Sequence, residues 1–203
     1  MACRKYGAKA IINISSQSVY SQKREFTADE TTEICLESPY AVGKYATELM
    51  LDGICKNLIY TNLRLASLIG PGFDQRIVNR LVKNAVEMKP ITIIDSEQRF
   101  GFLDILDAVE AVNAVLHTEI DKWKPVYNVG NGCAVSLTDI VENINMVFKE
   151  RLLSMPVVNY VKEEKNGSTA VSFQRLHIDT GFEPHISLKA SIERILDNMK
   201  ISI

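Results

Sequence analysis

Ala10-Ile11-Ile12-Asn13-Ile14 is the segment that most constrains this chain. It is short, apolar and rich in β-branched residues, and it runs straight into Ser15-Ser16-Gln17-Ser18. A run of that kind predicts a strand covered on both faces, as in a parallel sheet. Parallel neighbours need a crossover, and the residues that follow supply one. A polar stretch, roughly Gln22–Glu37, reads as a loop. Ser38-Pro39 then provides an N-cap and a proline at the first helical position, so a helix is predicted to about Lys56. Tyr60–Ser67 reads as the next strand, and Gly70-Pro71-Gly72 breaks the chain.

The alternation continues. A helix is predicted over 75–88, with Ile77, Leu81 and Val82 on one face, and a short strand over Pro90–Ile94. A helix follows over Asp104–Thr118, then a strand over Val126–Val129. Ser136 opens a helix reaching Glu150, Lys162–Ser168 is a charged loop, and Leu188–Met199 is a closing amphipathic helix. Met1–Tyr6 reads as the last turns of a helix stopped by Gly7. Strands alternating with helices give an α/β class with a parallel sheet.

Composition narrows the function classes. The 203 residues carry 23 Lys+Arg against 25 Asp+Glu, for a net charge of −2. A near-neutral chain without a basic run lacks the footprint of a nucleic-acid binder. No apolar stretch approaches the ~18–20 residues needed to cross a bilayer, and Met1-Ala-Cys-Arg-Lys-Tyr-Gly7 has no apolar signal-peptide core. Cys3, Cys35, Cys55 and Cys133 show no CxxC spacing, and His117, His177 and His185 lie far apart. They read as reduced thiols of a cytoplasmic protein without a zinc site.

Two segments could carry chemistry. Tyr40 and Lys44 stand four residues apart where a helix is expected, so phenol and ammonium share one face. An ammonium close to a phenol favours the phenolate, and a phenol so poised can pass a proton to or from a substrate hydroxyl. The second segment, Ser15–Tyr20, follows the apolar strand, at the end where parallel sheets bind ligands. Taken singly, the two segments are equally those of a solvated helix face and a serine-rich turn.

Together they are more specific. A strand ending in Ser15-Ser16-Gln17-Ser18-Val19-Tyr20, followed by Ser38-Pro39-Tyr40 and Lys44, resembles the short-chain dehydrogenase/reductase superfamily. The wording is similar to its extended branch, the NAD-dependent epimerase/dehydratase family, which includes nucleotide-sugar epimerases. Leu63-Arg64-Leu65 through Gly70-Pro71-Gly72, Arg99–Asp107, Tyr127–Gly132 and Thr180–Ile192 are similar to further blocks of that family. The resemblance implies a partial Rossmann-like parallel sheet, its later strands only, with a smaller C-terminal substrate-binding lobe. Residues 1–72 and 104–130 would form the first part, and 73–103 and 131–203 the second.

The resemblance also implies roles. Tyr40 would be the acid/base, Lys44 would hold the nicotinamide ribose of NAD or NADP, and Ser16 would orient the sugar hydroxyl. Ser18, Ser67 and Arg99 would contact a nucleotide-linked sugar, with the Arg99 guanidinium suited to phosphate oxygens. Ser67 stands where many members have a longer Asn, and Arg99 falls about one residue out of register. Asp107 is expected to serve the fold as a helix-start carboxylate. The helix carrying Tyr40 and Lys44 would build a homodimer, with Ala46, Leu49, Met50 and Ile54 on its face.

No GxxGxxG follows a first strand, and no acidic residue closes a second. The chain is therefore expected to be a truncated form that cannot fully bind cofactor alone. The alternatives are a non-catalytic remnant with a vestigial site and the partner-dependent half of a split enzyme. The Ala10–Ile14 strand is expected to present an open apolar edge.

Overall fold

The computed structural model describes residues 7–55, 58–95 and 97–199. Three parallel strands lie in the order β1 (Ala10–Ser16), β2 (Ile59–Leu65) and β6 (Val126–Val129). Helix α1 (Pro39–Ile54) makes the crossover from β1 to β2. The chain then forms β3 (Ser67–Ile69), α2 (Ile77–Val86), β4 (Ile91–Asp95), β5 (Phe102–Asp104) and α3 (Ile105–His117) before β6. After β6 come α4 (Leu137–Glu150), β7 (Val158–Lys162), α5 (Gln174–Thr180) and α6 (Leu188–Asn198). Two further parallel pairs complete the structure, β3 with β5 and β4 with β7. The α/β class and the parallel sheet expected from the sequence are present.

Side chains alternate across a strand, so β1 and β2 each show two chemistries. Ser15 and Arg64, paired in register, face α1, whereas Ile14 and Leu65 line a groove against α3. β1 occupies the edge of its sheet, and among the described residues it pairs with β2 alone. Ile14 is 43% exposed, on the face that borders the groove against α3.

Helix starts follow the local signals. Ser38 Oγ accepts from the Ala41 amide at 3.1 Å with Pro39 at the first helical position. Ser136 and Asp139 form a reciprocal capping box that opens α4. Asp104 caps α3 through the Leu106 amide at 2.9 Å and is held by Ser191 Oγ at 2.6 Å. Asp107 is fully buried and accepts the His185 and Ile186 amides, so its role is to tie α3 to the chain before α6.

Two apolar cores result. One lies beneath β1, β2, β6 and α3 and includes Leu63, Tyr127 and Val129. The other joins α2, α4, α6 and β4 through Val82, Ile93, Ile144 and Ile195. Val171, Leu176 and Phe182, far along the chain, join the first core.

Some elements differ from the sequence reading. The strand predicted over Tyr60–Ser67 ends at Leu65, because Ala66 still donates to Val129 O while Ser67 turns to Gly101 O and begins β3. β3 and β5 are three residues each, too short for periodicity to register. β7 is mostly exposed and mixes apolar with charged residues, and α5 is only seven residues long. The charged loop after β7 is anchored, since Gly167 takes φ +117° and an added Cβ there would meet Gln22 O at 2.5 Å. The polar stretch after Tyr20 has no helix, and it is strapped to the same region. Ala28 N donates to Ala170 O at 3.1 Å, Ser172 N donates to Ala28 O at 2.8 Å, and Arg24 Nη2 donates to Ala170 O at 2.8 Å.

Cys35, Cys55 and Cys133 are free thiols, and Cys3 lies outside the described residues, as do Met1–Tyr6. No helix among the described residues is long and apolar enough to cross a membrane.

Tyr127 is fully buried, donates to Asp179 Oδ2 at 2.9 Å, and has its phenol pushed up to about 12, chiefly by burial. In the unfolded chain a Tyr titrates near pH ~10. Its stabilising effect is therefore complete below about pH 10 and is lost as pH rises towards 12. Tyr127→Phe is expected to flatten the decline of stability above about pH 10. Urea midpoints measured from pH 8 to 11 would show this, and an unchanged slope would refute it.

Candidate active site

A pocket of about 260 Å³ opens at the carboxyl ends of β1 and β2. Ser16 and Ser18 line it from the end of β1, Tyr40 and Lys44 from the start of α1, and Ser67 from the start of β3. Five of the six site residues expected from the sequence are thus brought together. Arg99 is not among its lining. It sits beside Glu97 at 3.6 Å and joins the strand-like bridge to Ser168. Arg76, which precedes α2, lines the pocket.

Local structure sets each position. β1 runs into a short 3₁₀ turn over Gln17–Val19, whose cap is Ser16, with Ser16 Oγ accepting from the Ser18 amide at 3.2 Å. The turn aims the serine hydroxyls at the end of the strand. Ser18 Oγ is buried and has no hydrogen-bond partner among the described residues. A buried polar atom left without a partner is costly, and a ligand hydroxyl would satisfy it. Lys44 Nζ donates to Ile14 O at 2.9 Å and lies 5.7 Å from the centre of the Tyr40 ring. The ammonium is thereby tied to the strand that carries the serines. Tyr40 is 57% exposed, so a ligand can reach its hydroxyl.

Beneath the pocket lies a buried charged row that the sequence reading missed. Arg64 Nε and Nη2 donate to both carboxylate oxygens of Glu48, at 3.0 Å and 2.6 Å. Ser15 Oγ donates to Glu48 Oε1 from the other side. Arg64 Nη1 donates to Tyr20 OH at 2.8 Å, and Tyr20 OH donates to Asn128 Oδ1 at 2.9 Å. Burial is the largest single influence on Arg64 and lowers its pKa, but the hydrogen bonds and charges of Glu48 and Tyr20 together outweigh it and hold the guanidinium above its ordinary value. Burial raises the Tyr20 phenol, partly opposed by Arg64. Two signals could have revealed the row: Glu48 follows Lys44 by one helical turn, and Arg64 stands between Leu63 and Leu65 where the strand is otherwise apolar locally.

On its outer side α1 exposes Ala46, Leu49 and Met50, and the Ile54 side chain lies outside the described residues. On the other face of the sheet, Ile14, Leu65 and Leu68 pass from the pocket into an apolar groove of about 480 Å³ against α3.

The model of the NAD dependent epimerase/dehydratase family matches residues 1–130. The chain belongs to this family. Within it, the chain is 28% identical over 197 residues to the GDP-6-deoxy-D-mannose reductase of Pseudomonas aeruginosa, covering 91% of the chain and 64% of that protein. It is 25% identical over 215 residues to a putative UDP-glucose 4-epimerase of Methanocaldococcus jannaschii, covering 97% and 65%. The chain thus spans slightly less than two thirds of these family members. Among solved structures, RMD from Pseudomonas aeruginosa complexed with NADPH superposes with a TM-score of 0.82 at 26% identity, covering all of the chain and 70% of RMD. The UDP-glucuronic acid 4-epimerase of Bacillus cereus, in complex with UDP-glucuronic acid and NAD, gives 0.83 at 26%, covering 98% and 64%. Of these two proteins, the first holds NADPH and the second NAD with a nucleotide-sugar.

Proposed function

We propose that this chain carries the catalytic centre of an NAD(P)-dependent epimerase/dehydratase-type oxidoreductase acting on a nucleotide-linked sugar. One observation carries the reading: Ser16, Ser18, Tyr40 and Lys44 line a single pocket at the carboxyl ends of parallel strands. Tyr40 is the acid/base, taking a proton from or returning it to a sugar hydroxyl. Ser16 orients that hydroxyl. Ser18, whose buried Oγ has no partner, takes a second one. Ser67 offers a further hydroxyl from β3. Arg99 contributes only when a substrate reaches beyond the pocket to its guanidinium.

The lining suits the nicotinamide-ribose end of a dinucleotide. Lys44 and Tyr40 would hold the ribose, and Leu65 and Leu68 offer apolar contact close by. When bound, the dinucleotide supplies a carbon that accepts and returns hydride. The likeness to a GDP-6-deoxy-D-mannose reductase and to UDP-sugar epimerases supports a sugar attached to a nucleoside diphosphate.

NADH titrated into the purified chain tests the reading through the fluorescence of the reduced nicotinamide. Weak enhancement is expected, because the sequence holds no GxxGxxG to cradle the pyrophosphate, and Lys44→Met should reduce it further. Enhancement that is indifferent to Lys44 would place the nicotinamide elsewhere and remove the basis of the proposal.

A further inference from the structure

We propose that Glu48 is a positioning residue that sets Tyr40 and Lys44 against Ser16, with Ser15 as its hold on the strand. The inference rests on the reading of Tyr40 and Lys44 as the working groups. It concerns how they are kept in place.

Tyr40, Lys44 and Glu48 recur every four residues, so they stand on one face of α1 over three successive turns. Ile14, Ser15 and Ser16 are the last three residues of β1. The two rows meet side by side. Lys44 Nζ donates to Ile14 O at 2.9 Å, and the next turn's Glu48 accepts the hydroxyl of Ser15. Consecutive strand residues are thereby gripped by consecutive helical turns. Register along the strand is fixed relative to register along the helix, which also fixes where Tyr40 stands relative to Ser16.

The grip is stiff because its far side is anchored. Arg64 forks onto the Glu48 carboxylate with side chains only 7% and 6% exposed. Arg64 pairs in register with Ser15 on one side and with Asn128 on the other. Glu48 thus sits above a row crossing all three strands. A charged, bidentate hydrogen-bonded pair has strong directional preference, unlike apolar packing. The simple alternative is that the row only stabilises the fold. The two roles predict different behaviour, because Tyr20 belongs to the same row but, among the described residues, makes no hydrogen bond to α1 or to β1.

The test compares Ser15→Ala with Tyr20→Phe in the 203-residue chain. Ser15→Ala releases the grip and leaves the Glu48–Arg64 pair intact. Tyr20→Phe removes the hydroxyl that bridges Arg64 and Asn128. The readouts are the melting temperature and two NMR signals, the ring-carbon resonance of Tyr40 and the ammonium-nitrogen resonance of Lys44. Each is assigned by its loss in Tyr40→Phe or Lys44→Arg. The expected result is that Ser15→Ala shifts both resonances while Tyr20→Phe lowers the melting temperature and leaves both in place. If Ser15→Ala alters only the melting temperature, or if both variants shift the signals alike, the positioning role is wrong.

These readouts need no cofactor, so they stand or fall apart from the functional reading. Where turnover of a nucleotide-sugar is measured, Ser15→Ala should lower kcat by roughly ten- to a hundredfold with KM little changed, the size expected of a small misplacement of reacting groups. Normal kcat with shifted resonances would overturn the acid/base reading of Tyr40 and leave the grip itself standing.

Discussion

Tyr40→Phe is expected to lower the turnover of a nucleotide-sugar by about 10²–10⁴-fold, the usual contribution of a positioned acid/base. The melting temperature should stay within a degree or so of the parent. The Tyr40 hydroxyl makes no hydrogen bond among the described residues, and the side chain is largely exposed, so removing one oxygen leaves no buried group unpaired. The ring is retained, and with it the contact to Lys44. Steady-state rates with NAD+ and a GDP- or UDP-linked sugar, or with NADH and the corresponding keto-sugar, read beside thermal melts, separate the two effects. A Phe variant that keeps its rate would end the proposal that Tyr40 moves the proton.

Arg64→Met should act in the opposite manner, with a large loss of stability at a residue that does not line the pocket. It would leave the Glu48 carboxylate buried without its cation. Breaking a buried ion pair by removing one partner costs about 3–5 kcal/mol. That is a large share of the roughly 5–15 kcal/mol available to a typical domain. The same reasoning predicts that Glu48→Leu combined with Arg64→Met recovers most of the loss, since no charge is then buried. Urea unfolding of the single and double variants measures this. A single variant within about 1 kcal/mol of the parent would mean that water reaches the Glu48 carboxylate.

Much of this architecture was legible in the sequence. The Ala10–Ile14 run, the Ser38-Pro39 helix start and the Ser136 cap are local signals, and local geometry follows them. The spacing of Tyr40 and Lys44 placed both on one helical face, and the pocket contains both. What escaped was non-local. Ser67 was read as the end of a strand, yet it begins a new pairing with Phe102, which lies far along the chain. The partner of Arg64 is Glu48, on a different element, and nothing within the strand itself names it. Arg99, which the resemblance implies as a contact to a nucleotide-linked sugar, does not line the pocket. Its place outside the pocket follows from the pairing of its backbone with Gly167 and Thr169. Arg76 lines the pocket because of the turn before α2, which spacing alone does not reveal.

The strap between the segment after Tyr20 and the stretch around Ala170 bears on the order in which the molecule can be made. The hydrogen bond from Arg24 to Ala170 closes a loop of 146 residues. At about 5–20 residues per second on the ribosome, roughly 7–30 s separate the two ends of that contact. Throughout that interval Arg24 and Ala28 lack their partners around Ala170, while Tyr20 can already meet Arg64 and then Asn128. Ser16, Ser18, Tyr40 and Lys44, neighbours in the finished pocket, are all made before that strap can close.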